Sequence, residues 1–285
     1  MDEIITYSLL SKKVLKNAAF VPEDAVRIAN PLSAEQEVMR PSLIPGMLGT
    51  VLWNINRRSK DLKLFEIGSI YLKESSGFVE RTYLGACVTG EISSWAGGSR
   101  PYSFFDLKGA VEALLTELGI GGVSFADASD CRFSGKTCAS VEINGEDIGL
   151  IGEIDGQVLK DFDIKAPVYA CEICLDKIFG SIIPVKKFEQ LAKYPSVTRD
   201  ISIITSRQTK SRDIEAVIKN SAGTILKNIT LVDKYSGKQI PDGKISLTYR
   251  FEYQDPRRTL EEKDVTEAQE KVLASLESQL GAKLR

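Results

Sequence analysis

The chain contains no histidine, which excludes Ser-His-Asp and Cys-His nucleophile systems and any His-ligated metal. Lys, Asp, Glu, Tyr and Cys remain as acids, bases or nucleophiles. Five cysteines are present, Cys87, Cys131, Cys138, Cys171 and Cys174. An odd count without a secretory signal reads as reduced thiols in a cytosolic protein. Cys171-Glu172-Ile173-Cys174 has the C-x-x-C spacing of metal and redox sites. Its setting, Val168 to Leu175, reads as a strand, in which residues three apart point to opposite faces. Two thiolates so placed do not chelate one ion, and the spacing predicts small buried side chains instead. No Gly-rich phosphate loop and no paired-carboxylate motif occurs.

A second group of residues suggests binding rather than catalysis. Tyr235 lies between Lys234 and Lys238, and Ser246, Thr248 and Arg250 alternate along a nearby strand. An aromatic plane beside amine and guanidinium groups suits a stacked base next to phosphates. The RNP1 pattern of RNA-recognition domains is missing. From pattern alone, a solvated open sheet accounts for these residues equally well.

The elements that would carry this group are legible. Arg199 to Thr205 is rich in β-branched residues and reads as a strand. Ser211 to Ala222 has Ile214, Val217 and Ile218 at helical spacing, with Gly223 as a stop. Lys227 to Tyr235 is a second strand. In Lys244 to Gln254, Ile245, Leu247, Tyr249, Phe251 and Tyr253 alternate with polar residues, so one face is buried and one open. Thr259 and Glu262 suggest a capping box for a last helix with Val265, Ala268, Val272, Leu276 and Leu280 as its stripe. Residues 282–285 supply a short edge strand. The order β-α-β-β-α-β is that of a ferredoxin-like unit, with both helices on one face of the sheet.

Ahead of it, helices are expected over Ile44–Arg57, Phe105–Leu118 and Gln157–Phe162, with strands over Leu62–Leu72, Tyr83–Thr89 and Val168–Leu175. Val141 to Ile148 reads as a hairpin on an Asn-Gly type I′ turn. Together these suggest an α+β domain built on an antiparallel sheet. The 285 residues carry 37 basic and 39 acidic side chains, a near-balance that excludes a strongly basic nucleic-acid coat. The balance hides an asymmetry. Residues 1–190 hold 20 basic and 26 acidic groups, whereas residues 191–285 hold 17 and 13. A positive second domain fits an anionic ligand, and fits an unremarkable surface equally well. The change falls in a basic, proline-flanked segment from Pro184 to Ser196, placing the domains at 1–188 and 189–285. No apolar run approaches a membrane span, and a soluble, cytoplasmic protein is expected.

Specific blocks carry a resemblance. Asn30-Pro31-Leu32-Ser33, Val38 through Leu48, Leu64-Phe65-Glu66-Ile67-Gly68, Phe104 through Leu115, Tyr194 through Asp200 and Asp255 through Leu260 occur in order along nearly the whole chain. The pattern resembles the bacterial phenylalanyl-tRNA synthetase β-subunit family, and specifically its C-terminal part, without the family's OB-like and editing domains. The resemblance implies a class II synthetase-like domain that does not form aminoacyl-adenylate, followed by a ferredoxin-fold anticodon-binding domain. It also implies an α subunit that holds the working active site, an assembly of two α and two β subunits, and tRNA(Phe) as the RNA. ATP and Mg would be used by that holoenzyme, with no cofactor in this part. A class II site needs an Arg-x-Glu strand and a later Arg to clamp phosphates. Here Leu64 stands where the first arginine would be, no G-x-G-x-G precedes a later one, and Arg40 is the nearest remnant, assigned first to structure.

The family's base-stacking tyrosine falls on Tyr235 and a polar contact on Ser246. Arg250, Lys234, Lys238 and Arg199 are added from charge and placement. Arg199 is equally suited to pairing with Asp200 or to capping the domain junction, and Arg257 and Arg258 to a solvated turn. The chain departs from the family at Ala96 after Trp95, near Phe133, and at Asp155-Gly156, where histidine is frequent. Two rivals remain: a self-contained ligase or transferase, which needs an ATP clamp, and a free-standing RNA- or small-molecule-binding module.

Overall fold

The computed structural model describes residues 1–75, 77–183, 188, 192–237 and 239–285. The chain divides into two units, Met1–Lys186 and Lys187–Arg285, each described by itself. Most of the basic segment from Pro184 to Gln190 lies outside the described residues.

The first unit is built on a seven-stranded sheet. Its elements are β1 (Asp2–Glu3), α1 (Ile44–Ile55), β2 (Leu62–Glu74), β3 (Gly77–Thr89), α2 (Phe104–Glu117), β4 (Val123–Asp127), β5 (Phe133–Ile143), β6 (Glu146–Ile154), α3 (Gly156–Asp161) and β7 (Val168–Cys174). The strand order is β1-β2-β3-β7-β6-β5-β4, antiparallel throughout except for the β1–β2 pair. Both faces are covered, one by α1 through Leu43, Ile44, Met47 and Val51, the other by α2 through Leu107, Val111 and Leu115. That is why Ala170 to Cys174 is continuously buried rather than alternating. Cys171 packs on the α2 side, while Cys174 turns to the opposite face beside Tyr83. Burial pushes the Cys87 and Cys171 thiols up to about 12, so neither is a nucleophile at neutral pH.

Two sequence boundaries shift. The expected strands Leu62–Leu72 and Tyr83–Thr89 are one long hairpin whose described tip residues, 73–75 and 77–80, run beyond the hydrophobic core and are mostly exposed. The Asn-Gly turn joins β5 to β6 as expected, with Asn144 at φ 51° and Gly145 at φ 85°, the two left-handed residues of a type I′ turn.

The second unit contains β8 (Val197–Ser206), α4 (Ser211–Ser221), β9 (Leu226–Tyr235), β10 (Lys244–Tyr253), α5 (Glu262–Leu280) and β11 (Lys283–Leu284). The sheet order is β9-β10-β8-β11, the ferredoxin-like arrangement. Ile245, Leu247, Tyr249, Phe251 and Tyr253 pack with Ile214, Ile218, Val265, Val272 and Leu276, placing α4 and α5 on one face. The cap of α5 differs from expectation. Glu261 is the capping residue and Asp264 its reciprocal partner, not Thr259 and Glu262. Arg258 decides the register, because its guanidinium binds both oxygens of Asp264 at 2.6 and 2.9 Å while the Glu261 N–H donates to Asp264 Oδ2 at 2.9 Å. Leu260 and Val265 are both buried around this turn, a hydrophobic staple. No helix among the described residues is long and apolar enough to cross a membrane.

Candidate nucleic-acid interface

The face of the second sheet opposite α4 and α5 is organised in rows by strand register. Tyr235, Ser246, Ile204 and Lys283 form one row across β9, β10, β8 and β11. Asp233, Thr248 and Ser202 form the next, and Thr230, Arg250 and Asp200 the one after. Ser202 Oγ and Thr248 Oγ1 share a hydrogen bond of 2.8 Å. Arg250 binds Asp200 through Nε and Nη2, both at 2.8 Å, and this pairing holds the Asp200 carboxyl below its ordinary range. Lys227 reaches Glu252 at 2.9 Å with the same effect on that carboxyl. The far end of the face is thus charge-paired. Such exposed pairs exchange partners readily in solvent, so Arg250 meets a phosphate only in competition with Asp200.

The end near the β9–β10 loop is different. Tyr235 is 37% exposed, and Ser246 beside it is 1% exposed. The Ser246 hydroxyl has no hydrogen-bond partner among the described residues. Lys244, on the same face by alternation along β10, adds positive charge, with Asp233 in the adjacent row, whereas the Lys283 ammonium pairs with Glu277 of α5 at 3.8 Å. Gly237 fixes the attitude of the tyrosine ring. A Cβ at this position would lie 2.0 Å from Tyr235 Oη, so any larger residue would push the ring away. An exposed aromatic plane next to a buried, unused hydroxyl is suited to stacking a flat polar ring and hydrogen-bonding its edge.

The structure therefore brings Tyr235, Ser246 and Arg250 onto one face. Two other sequence candidates lie elsewhere. Lys234 is opposite Leu247, and Arg199 is opposite Phe251, both core residues, so each points to the helix side of the sheet. Arg199 pairs there with Glu262 at 2.7 and 2.9 Å, not with Asp200. Lys238 lies outside the described residues. Sequence reading missed Gly237, which acts through the space it leaves.

In the first unit, the strand that aligns with an Arg-x-Glu clamp is filled with structural contacts. Leu64 is buried in the core under α1. Glu66, 1% exposed, accepts from Arg40 Nη1 at 2.6 Å, from Thr6 N at 3.2 Å and from Thr6 Oγ1 at 2.8 Å. Arg40, 4% exposed, also donates to Ser69 O at 2.8 Å through Nε. A neighbouring buried carboxylate, Glu172, accepts from Ser42 Oγ and Leu43 N at the start of α1, and from Arg132, which is itself forked onto Asp130. These charges are all engaged within the protein. At this strand the residues do not fit a phosphate clamp, since the Arg40 guanidinium is buried against Glu66. No group of three Cys, Asp or Glu side chains is placed to hold a metal ion among the described residues.

Comparison with known proteins gives consistent matches. Residues 1–175 match the family described as the phenylalanyl tRNA synthetase beta chain CLM domain, and residues 192–285 the ferredoxin-fold anticodon binding domain. The chain is 36% identical to the phenylalanine–tRNA ligase β subunit of Clostridium acetobutylicum over 100% of its own length and 36% of the relative's. It is 35% identical to that of Bacillus subtilis over 100% of the chain and 36% of the relative. For the Dehalococcoides mccartyi subunit the identity is 34%, over 100% and 35%. The chain thus spans about a third of the length of the curated relatives it matches.

Proposed function

Because the chain belongs to the phenylalanyl-tRNA synthetase β-chain family, we propose that it serves an ATP-dependent phenylalanine–tRNA ligase as a non-catalytic part. In this reading residues 1–188 support the catalytic α subunit, residues 189–285 hold the anticodon arm of phenylalanine tRNA, and the assembly contains two α and two β subunits in the cytoplasm. ATP and Mg act in the α subunit. The observation that carries the RNA part is the Tyr235–Ser246 pair, an exposed ring beside a buried hydroxyl with no partner among the described residues, in a domain that matches an anticodon-binding family. Support for the scaffold part comes from Leu64 and the Arg40–Glu66 pair, which fill the place of a phosphate clamp with packing and an internal ion pair.

Hydroxyl-radical footprinting of phenylalanine tRNA by this chain tests the assignment. Protection is expected over the anticodon loop and its adjoining stem. Protection centred on the acceptor arm, or none at saturating protein, would overturn the reading of the second domain.

A further inference from the structure

In the first unit, the face of the sheet that α1 covers opens, ahead of Pro41, into a cavity of about 600 Å³. That is within the roughly 300–1,000 Å³ of small-molecule sites. Gly85 of β3 marks where the helix sits, since a Cβ there would lie 2.9 Å from Met47 Sδ and 3.1 Å from Leu43 Cβ. Leu150, Glu172 and Gly85 stand in one row across β6, β7 and β3, and Cys174 and Tyr83 in the next row on the same face. Leu150, Glu172 and Tyr83 floor the cavity, with Phe20, Ile70 and Leu72 as apolar wall. Exposed Asp24, Lys73, Asp147 and Lys177 form its rim. β6 is bulged here, its register slipping between Asp147 and Gly149, the kind of departure that re-aims side chains beside binding sites. Lys177 Nζ donates to the Asp147 carbonyl, which fixes the ammonium at the rim.

The floor is negative. Asp130 and Glu172 share the single guanidinium of Arg132. The start of α1, through Ser42 Oγ and Leu43 N, offsets Glu172 by roughly half a charge, so part of a negative charge remains. Glu172 Oε2 accepts only from Arg132 among the described residues, although such an oxygen has two lone pairs. Burial, with Cys174 and the Glu172 carboxylate nearby, pushes the Tyr83 phenol up to about 12, which keeps its oxygen neutral and able to accept. We infer that this cavity binds a short zwitterion with an apolar body, of the size of leucine or dileucine. Its ammonium lies on Glu172 Oε2 and Tyr83 Oη, and its carboxylate on Lys177 at the rim. A lone anion meets the negative floor, and a lone cation meets Lys73 and Lys177 at the mouth. A zwitterion satisfies both, while its apolar body lies along Ile70, Leu72 and Phe20. The inference is independent of the RNA-binding reading, which concerns the other unit.

The test is an amide-resolved NMR titration of the full chain. L-leucine and L-leucyl-L-leucine are the zwitterions, with isoamylamine and isocaproate as matched single charges. Saturable shifts at residues 20–25, 147–150 and 172–177 are expected with a zwitterion at millimolar concentration, and each single charge is expected to bind several-fold more weakly. Lys177→Met is expected to weaken the zwitterions roughly 2- to 5-fold, the upper part of the range for an exposed ion pair, without weakening isoamylamine. Tyr83→Phe is expected to weaken zwitterions and isoamylamine alike, roughly 2- to 12-fold, the net worth of one hydrogen bond. Glu172→Gln keeps an acceptor for the start of α1 while removing the charge, and is expected to abolish the preference for an ammonium. Urea unfolding checks that this variant is folded, and the Tyr83 and Lys177 variants decide the question if it is not. Isocaproate binding as tightly as leucine would overturn the assignment of the floor. Isoamylamine binding as tightly as leucine would overturn the carboxylate contact. Unchanged zwitterion affinity in both Lys177→Met and Tyr83→Phe, or no shifts with any of these compounds, would overturn the site.

Discussion

Glu66→Ala is expected to destabilise the first unit by about 3–5 kcal/mol, the usual cost of removing one member of a buried ion pair. Glu66 and Arg40 are 1% and 4% exposed and 2.6 Å apart. The substitution leaves a guanidinium in the interior without its counter-charge, and takes the acceptor from both the N–H and the hydroxyl of Thr6. Gly68 closes off the simplest escape. The place where its Cβ would stand is only 2.3 Å from Arg40 Nη2, so the arginine is packed directly against backbone. Urea unfolding, followed by a probe specific to the first unit, reads the loss. Arg40→Met/Glu66→Leu is expected to be markedly more stable than Glu66→Ala, because the desolvation cost disappears with both charges. Stability of Glu66→Ala within about 1 kcal/mol of wild type would show that this pair behaves like a solvated surface contact. The prediction bears on function, since an arginine bound so firmly to structure has no freedom to clamp a nucleotide.

Tyr235→Ala is expected to weaken binding of a phenylalanine-tRNA anticodon stem-loop by about 1–3 kcal/mol, the range for one aromatic–base stack. Near-wild-type affinity in Tyr235→Phe would assign the effect to the ring rather than the hydroxyl. The ring is 37% exposed at the end of β9 and contributes little to the core under α4 and α5, so the alanine variant is expected to unfold at nearly the wild-type urea concentration. Unchanged affinity in a folded Tyr235→Ala protein would remove the residue from the site.

The elements of the second unit were legible because alternation and helical spacing are local signals. The strict pattern of Ile245 to Tyr253 set the buried and open faces of β10, and the chain order of elements then fixed the ferredoxin-like sheet. The same parity rule separates Lys234 from Tyr235, and Arg199 from Asp200. Grouping them by charge and nearness in sequence ignored the alternation that the register enforces. In the first unit, the buried engagements of Glu66 and Glu172 depend on Thr6, Ser42 and Arg132, which no spacing rule brings together. The α5 cap moved by two residues because Arg258 selects Asp264 over the equally plausible Thr259–Glu262 box.

The central claim is that the second unit recognises an anticodon loop rather than offering a generic basic surface. A salt titration of binding to the phenylalanine-tRNA anticodon stem-loop, against a hairpin with a scrambled loop, tests it most directly. Cognate binding that weakens with salt yet keeps its preference over the scrambled loop at every concentration is the expected result, because the proposed stacking on Tyr235 and hydrogen bond to Ser246 would persist when phosphate attraction is screened. Equal affinity for both loops, falling together with salt, would contradict the account.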